Sequence, residues 1–259
     1  MDPTLAAVRH AVRMAPSGRL APVLVVATLL LSACAAGPDT VDPSGVDGLE
    51  IPTPSPDPAD FVGGIDNPYL PLRPGNEWVY EVTGEEPQTI TVTVTDETRE
   101  VAGVTTTVVR DVVTGADGEV IEETADWFAQ DREGNVWYFG EDTTEYDERG
   151  RPDTTGSWEA GVDGARAGLV MPATPRLGDG YQQEFYPGEA EDRAEVLALD
   201  GTRQLSSGAY EDLLVTEDTT PLEPGLVEQK YYARGTGLIY EETVSGGSEQ
   251  VELISFTEG

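Results

Sequence analysis

Polar and apolar residues alternate with a period of two along much of the chain beyond Phe61. Gln88-Thr89-Ile90-Thr91-Val92-Thr93-Val94-Thr95 shows the rhythm most cleanly, and much of Thr105 to Val113 and Ala194 to Leu199 repeats it. Alternate side chains of an extended strand point to opposite faces, so each run predicts a β-strand with one face buried. The runs are rich in Thr, Val, Tyr and Trp, which fit a pleated surface. Between them, Asp117-Gly118, Glu133-Gly134-Asn135, Arg149-Gly150, Asp200-Gly201 and Gly246-Gly247 predict tight turns. No helical period follows residue 33. The fold class this predicts is all-β and antiparallel.

The pattern also returns on itself. Arg73-Pro74-Gly75-Asn76-Glu77-Trp78 is echoed by Arg176-Leu177-Gly178-Asp179-Gly180-Tyr181, and Gly103–Val109 by Gly208–Leu214. Trp127-Phe128-Ala129 is echoed by Tyr231-Tyr232-Ala233, and Gly134-Asn135-Val136-Trp137 by Gly237-Leu238-Ile239-Tyr240. Four blocks in one order at nearly one spacing predict two duplicated strand-rich halves, about 61–155 and 174–259, separated by an unduplicated insert, 156–173. Packed together, two such halves would form a sandwich or a curved half-barrel. The insert would be a strap over an open end or a functional loop.

The N-terminal pattern is different. Arg9, Arg13 and Arg19 precede an apolar run from Leu20, which ends in Leu31-Ser32-Ala33-Cys34. A basic leader, an apolar stretch and small residues before a cut are the three parts of a secretory signal. Cys34 directly after the small residues is the lipid-attachment site expected of a bacterial lipoprotein signal, with Leu31, Ser32 and Ala33 as its lipobox. Leu20 to Ala36 spans 17 positions, short of the roughly 20 apolar residues a membrane helix needs. Residues 1–33 are therefore expected to form a signal peptide in a helix, with translation starting at Met1 or Met14. A diacylated cysteine would hold the protein at the outer face of the cell membrane. Residues 34–60 would be a disordered, Pro-rich tether. Within it, Ile51–Pro58 should run as polyproline II, a spacer of about 25 Å at about 3.1 Å per residue.

Maturation at Cys34 changes the available chemistry. His10, the only histidine, leaves with the signal, and the only cysteine takes the lipid. Catalysis by Ser-His-Asp or Cys-His is excluded, as are disulfides and structural zinc. Losing Asp2 and three arginines leaves 48 acidic and 12 basic residues, near −36 in net charge. Such a surface repels nucleic acid and anionic head groups. Carboxylates are the acid–base groups that remain, and Glu141-Asp142 with Glu145, or Glu189-Ala190-Glu191-Asp192, could serve a hydrolase that needs only two of them. Asp131-Arg132-Glu133-Gly134-Asn135 lacks the spacing of a calcium loop and reads as a hairpin turn. No metal and no cofactor is expected. The aromatics fall mostly in strands and should form the core. Trp158, in the insert, is the exception, and with Met171, Tyr181 and Tyr186 it is a candidate lip for an apolar ligand pocket.

Asn67–Tyr80, Gly134–Gly140 and Lys230–Ile239, taken with the Leu-Ser-Ala-Cys motif, resemble the corresponding phrases of bacterial lipoproteins of the actinobacterial type. At the level of fold, lipid-anchored all-β proteins of this size resemble the curved half-barrels of lipoprotein carriers. The resemblance implies an exported all-β protein and brings no catalytic residues with it. The expected function is thus non-enzymatic: binding of an apolar ligand or an envelope partner at the membrane surface. A carboxylate-dependent hydrolase acting on cell-envelope glycans is the alternative.

Overall fold

A computed structural model describes residues 56–84, 86–147 and 149–259. The signal peptide, Cys34 and the tether up to residue 55 lie outside the described residues. One turn of 3-10 helix, Pro58–Asp60, leads into sixteen strands. They are β1 (Phe61–Val62), β2 (Glu77–Thr83), β3 (Gln88–Val101), β4 (Val104–Gly115), β5 (Val120–Asp131), β6 (Val136–Tyr146), β7 (Pro152–Asp153), β8 (Trp158–Glu159), β9 (Arg166–Met171), β10 (Gly180–Gln182), β11 (Glu184–Phe185), β12 (Arg193–Leu205), β13 (Gly208–Thr219), β14 (Val227–Ala233), β15 (Gly237–Ser245) and β16 (Gln250–Thr257). Every pairing among them is antiparallel, as the alternation demands.

The strands form one strongly curved sheet in the order β10-β12-β13-β14-β15-β16-β2-β3-β4-β5-β6-β9-β11. Two meanders, β2 to β6 and β12 to β15, are stitched together by β16, which pairs with β15 on one side and with β2 on the other. At the far seam one extended segment serves both ends of the sheet. Its first part, β10, pairs with β12, and its second part, β11, pairs with β9. The sheet is therefore a nearly closed barrel, so of the two forms expected the curved one occurs. Closure removes the exposed edges that a long open sheet would present. Gly168 makes the seam possible: a Cβ there would lie 1.9 Å from the Gln183 carbonyl oxygen.

The inward face follows the alternation. Ile90, Val92 and Val94 of β3 are buried beside Val109 and Val113 of β4, and Trp78, Tyr80 and Val82 of β2 continue the layer. The segment Ile65 to Asn76 closes one end. Ile65, Tyr69, Leu70 and Leu72 are buried, and Asn67 donates to the carbonyls of Gly134 (2.9 Å) and Pro172 (3.2 Å). Gln130 holds the entry by accepting from the backbone N–H groups of Asp66 and Asn67, both at 2.9 Å. The insert does not loop away; β8 and β9 lie along β6 and extend the sheet.

Most turn signals are realised. Asp117-Gly118, Glu133–Asn135, Arg149-Gly150 and Gly246-Gly247 each lie between consecutive strands. Asp200-Gly201 does not reverse the chain. The pairing of β12 with β13 slips on either side of Gly201, so the dipeptide is a bulge inside a continuous strand, and the reversal comes at Ser206-Ser207.

Candidate functional site

Two places gather polar side chains: the interior of the barrel and a groove on its outer surface. The interior is lined by strands whose inward positions are polar. Asp111 of β4 lies opposite Thr124 of β5 and Val92 of β3. Asp126 of β5 lies opposite Val109 and Glu141, and Glu122 lies opposite Val113, so all four acids share the inward face. A bulge at Gly140 keeps Tyr138 and Glu141 on that face together. Gly140 adopts φ +123°, and a Cβ there would sit 2.2 Å from the Trp158 carbonyl oxygen, so glycine is required.

Hydroxyls thread this cluster. The Tyr138 hydroxyl donates to Asp126 Oδ1 at 2.7 Å. Thr124 Oγ1 donates to Glu122 Oε1 at 3.1 Å and lies 2.8 Å from Thr143 Oγ1. Asp111 is different: it is 1% exposed, and neither of its carboxylate oxygens has a hydrogen-bond partner. Burial, then the charges of Asp126, Glu122 and Glu141, push its carboxyl well above the ordinary carboxylate range. Burial does the same to the phenols of Tyr80 and Tyr138, and neighbouring acids add to it.

Across the barrel the polar interior has a base. Lys230 of β14 is fully buried, and its Nζ lies 3.0 Å from Asp218 Oδ2 of β13. Gln183 Nε2 donates to the same oxygen at 3.1 Å, and Thr216 Oγ1 donates to Asp218 Oδ1 at 2.7 Å. Lys230 also stands opposite Glu241 of β15. It is the only buried base among the described residues, against ten buried acids.

The outer groove, about 720 Å³, runs beneath the β12–β13 hairpin arm. Arg203, Gln204, Leu205, Tyr210 and Glu211 line it from the arm, and Tyr240, Gln250 and Glu252 from β15 and β16. The arm is held down by Arg203, whose guanidinium stacks 4.0 Å from the Tyr240 ring and 4.9 Å from the Tyr231 ring and bridges to Glu242 at 2.7 Å. The Ser206 N–H donates to Glu252 Oε1 at 2.6 Å. Polar atoms and tyrosines dominate the lining, so the groove is built for hydrogen bonds and stacking.

The residues singled out as a pocket lip are placed elsewhere. Trp158, Met171 and Tyr181 are buried in the core and Tyr186 is half-buried. Trp158 packs edge-on against Tyr138, with centroids 5.4 Å apart. None of the four lines the groove. Of the acidic runs, Glu141 turns inward while Asp142 faces out, because neighbours on a strand point to opposite faces. Asp131 is committed to its turn. It accepts from the N–H groups of Glu133 and Asn135, the Asn135 amide and the Trp137 indole, at 2.8–2.9 Å. Among the described residues no group of three or more acidic, histidine or cysteine side chains is arranged to hold a metal ion.

Of the interior acids, Glu141 was singled out, whereas Asp111, Glu122 and Asp126 escape sequence reading because they meet across strands, not along one. The signal for them was Glu122-Glu123-Thr124-Ala125-Asp126, where acid and hydroxyl recur at every second position.

No family model matches the chain, and no curated protein does. Among solved structures it is similar to a crystal structure of a putative lipoprotein from Parabacteroides distasonis. The two are 11% identical over 73% of this chain and 98% of the other, with a TM-score of 0.41. At that score the likeness carries no argument. Among the described residues no helix is long and apolar enough to cross a membrane.

Proposed function

We propose that the protein is a lipid-anchored binding protein at the outer face of a cell membrane, a lipoprotein of the actinobacterial type. One observation carries the reading: Leu31-Ser32-Ala33-Cys34 follows a basic leader and an apolar run, and a Pro-rich stalk follows it. The lipid on Cys34 is the anchor, the stalk the spacer, and the barrel the part displayed. Palmitate labelling of the full-length protein in its host tests this. Cys34→Ala is expected to lose the label and appear in the medium; unchanged labelling and membrane retention would overturn it.

The groove beneath the second arm is the place where an envelope partner docks. The first arm, the β3–β4 hairpin, supports this by showing what fills the corresponding space. Its tip, Ala102-Gly103, is packed by Pro58 and Gly161 of the same chain, and Arg99 stacks 3.8 Å from the Trp127 ring while bridging to Glu159. A 3-10 turn at Pro58 and a turn at Gly161 occupy that side, so a short segment of a partner suits the open one. A photo-cross-linker at Gln204 of the anchored protein should capture a partner that one at exposed Asp142 does not; equal capture would count against the groove. The halves are read as copies of one unit, a reading supported by β4 and β13, whose bounds differ by 104 residues at both ends. Superposing residues 70–140 on 173–243 of an experimental structure should overlay the strands in order.

One observation favours the hydrolase reading: the raised carboxyl of Asp111 shares the inward face with Asp126 and Glu141, and glycoside hydrolysis uses a pair of acids of which one is held protonated. Release of reducing ends from envelope glycans by wild type but not by Asp111→Asn would establish it.

A further inference from the structure

We infer that the barrel interior around Asp111 is a proton-binding site, occupied in the folded protein at neutral pH, whose contribution to the fold is fully present in acid and is lost as pH rises. Geometry carries this. Asp111 is 1% exposed and turned inward, and no donor reaches either oxygen, so nothing there compensates an ionised carboxylate. The elements packed against it supply no base. Its own strand places Val109 and Val113 on the same face, and β3 offers Ile90, Val92 and Val94. From β5 come Glu122, Thr124 and Asp126, and from β6 comes Glu141. Tyr80 of β2 is acted on by Asp111 and by Glu241 of β15, which links the two sides of the interior. Arg110, next in sequence, points outward to Glu97. Lys230 is placed on Asp218, and the charges that raise the Asp111 carboxyl are those of Asp126, Glu122 and Glu141.

The consequence has a definite sign. A carboxyl whose folded value lies above its unfolded value of about 3.9 keeps a proton in the folded state that the unfolded chain gives up. Its contribution is fully present below about pH 3.9 and is lost as pH rises through the folded value. The unfolding constant then rises up to tenfold per pH unit for each proton retained. General charge repulsion in so acidic a protein also weakens the fold as pH rises, so the test must separate the two.

Urea unfolding of the full-length protein in detergent, from pH 5 to pH 7, does so with three substitutions that remove one acid each. Asp111→Asn is expected to flatten the pH dependence, by up to a hundredfold across the two units relative to wild type. Asp142→Asn, on the outward face of the neighbouring β6, should leave it unchanged. Glu122→Gln, which removes a charge facing Asp111, should flatten it in the same direction and keeps the test alive if Asp111→Asn does not fold. Equal pH dependence in the inward and outward variants would assign the effect to surface repulsion and overturn the inference.

Discussion

In the first meander, β4, β5 and β6 place Asp111, Glu122, Asp126 and Glu141 inside the sheet with no base among them. In the second, β13 and β14 place Asp218 and Glu228 there together with Lys230. The contrast is sharpest at one matched pair of positions. Asp126 and Lys230 stand 104 residues apart, each just before an aromatic pair, Trp127-Phe128 and Tyr231-Tyr232. Outside the barrel the match persists: Arg99 stacks on Trp127, and Arg203 on Tyr231. The two meanders thus accommodate buried charge in two ways. The second meander neutralises a carboxylate with an ammonium and two further donors, whereas the first leaves Asp111 to be neutralised by a proton. A buried ion pair is costly to break, and a buried proton is lost simply by raising the pH.

The comparison breaks most severely at Lys230. Lys230→Met leaves Asp218 buried without its counter-charge and is expected to destabilise the protein by about 3–5 kcal/mol in urea unfolding at pH 7. Asp111→Asn should instead raise stability at that pH. Next comes the bulge that aligns Tyr138 with Glu141. Gly140→Ala forces a side chain into positive φ and against the Trp158 carbonyl, and should cost about 2 kcal/mol or more by the same measurement. Tyr138 would then lose its register with Asp126.

How much of this was legible in the sequence depends on which face a polar residue takes. Ile90, Val92 and Val94 announced their strand and their burial, since only one face of that run is apolar. Glu122, Thr124 and Asp126 alternate just as regularly, but both faces of β5 there carry polar groups, and period alone does not say which turns in. The sheet settles it, because β5 must share its inward face with Val109 and Val113 of β4. The turn at Asp200-Gly201 was misplaced for a related reason: a glycine marks either a reversal or a bulge, and cross-strand pairing decides between them. Trp158 was expected at a pocket lip, and it is buried because β8 pairs with β6 and lays the indole on Tyr138. The groove depends on how the second arm curls, which is a property of the slipped β12–β13 register and left no local signature.

Smaller effects test the outer surfaces. Arg99→Ala and Arg203→Ala each remove a guanidinium from an aromatic face, worth about 0.5–1 kcal/mol. Arg203→Ala should be the larger, because that side chain contacts two rings and is less exposed. Equal losses would count against the second arm being held chiefly by Arg203. The smallest effect belongs to the turn between β6 and β7. There a hydrogen bond from the Arg151 side chain, then those from the Arg151 and Arg149 backbones, lower the Asp147 carboxyl to about 2. Its contribution is present above about pH 3.9 and is lost as pH falls through 2, opposite in sign to Asp111. Arg151→Ala should return the Asp147 titration, followed by NMR, toward the ordinary value.

The most direct measurement is infrared difference spectroscopy of the folded protein in D₂O at neutral pH, with Asp111→Asn as the reference. A carboxyl that keeps its proton shows the carbonyl stretch of the acid, distinct from the carboxylate bands. Wild type should show that band, and Asp111→Asn should lack the Asp111 component of it. A wild-type spectrum containing only carboxylate bands would contradict a proton-held interior.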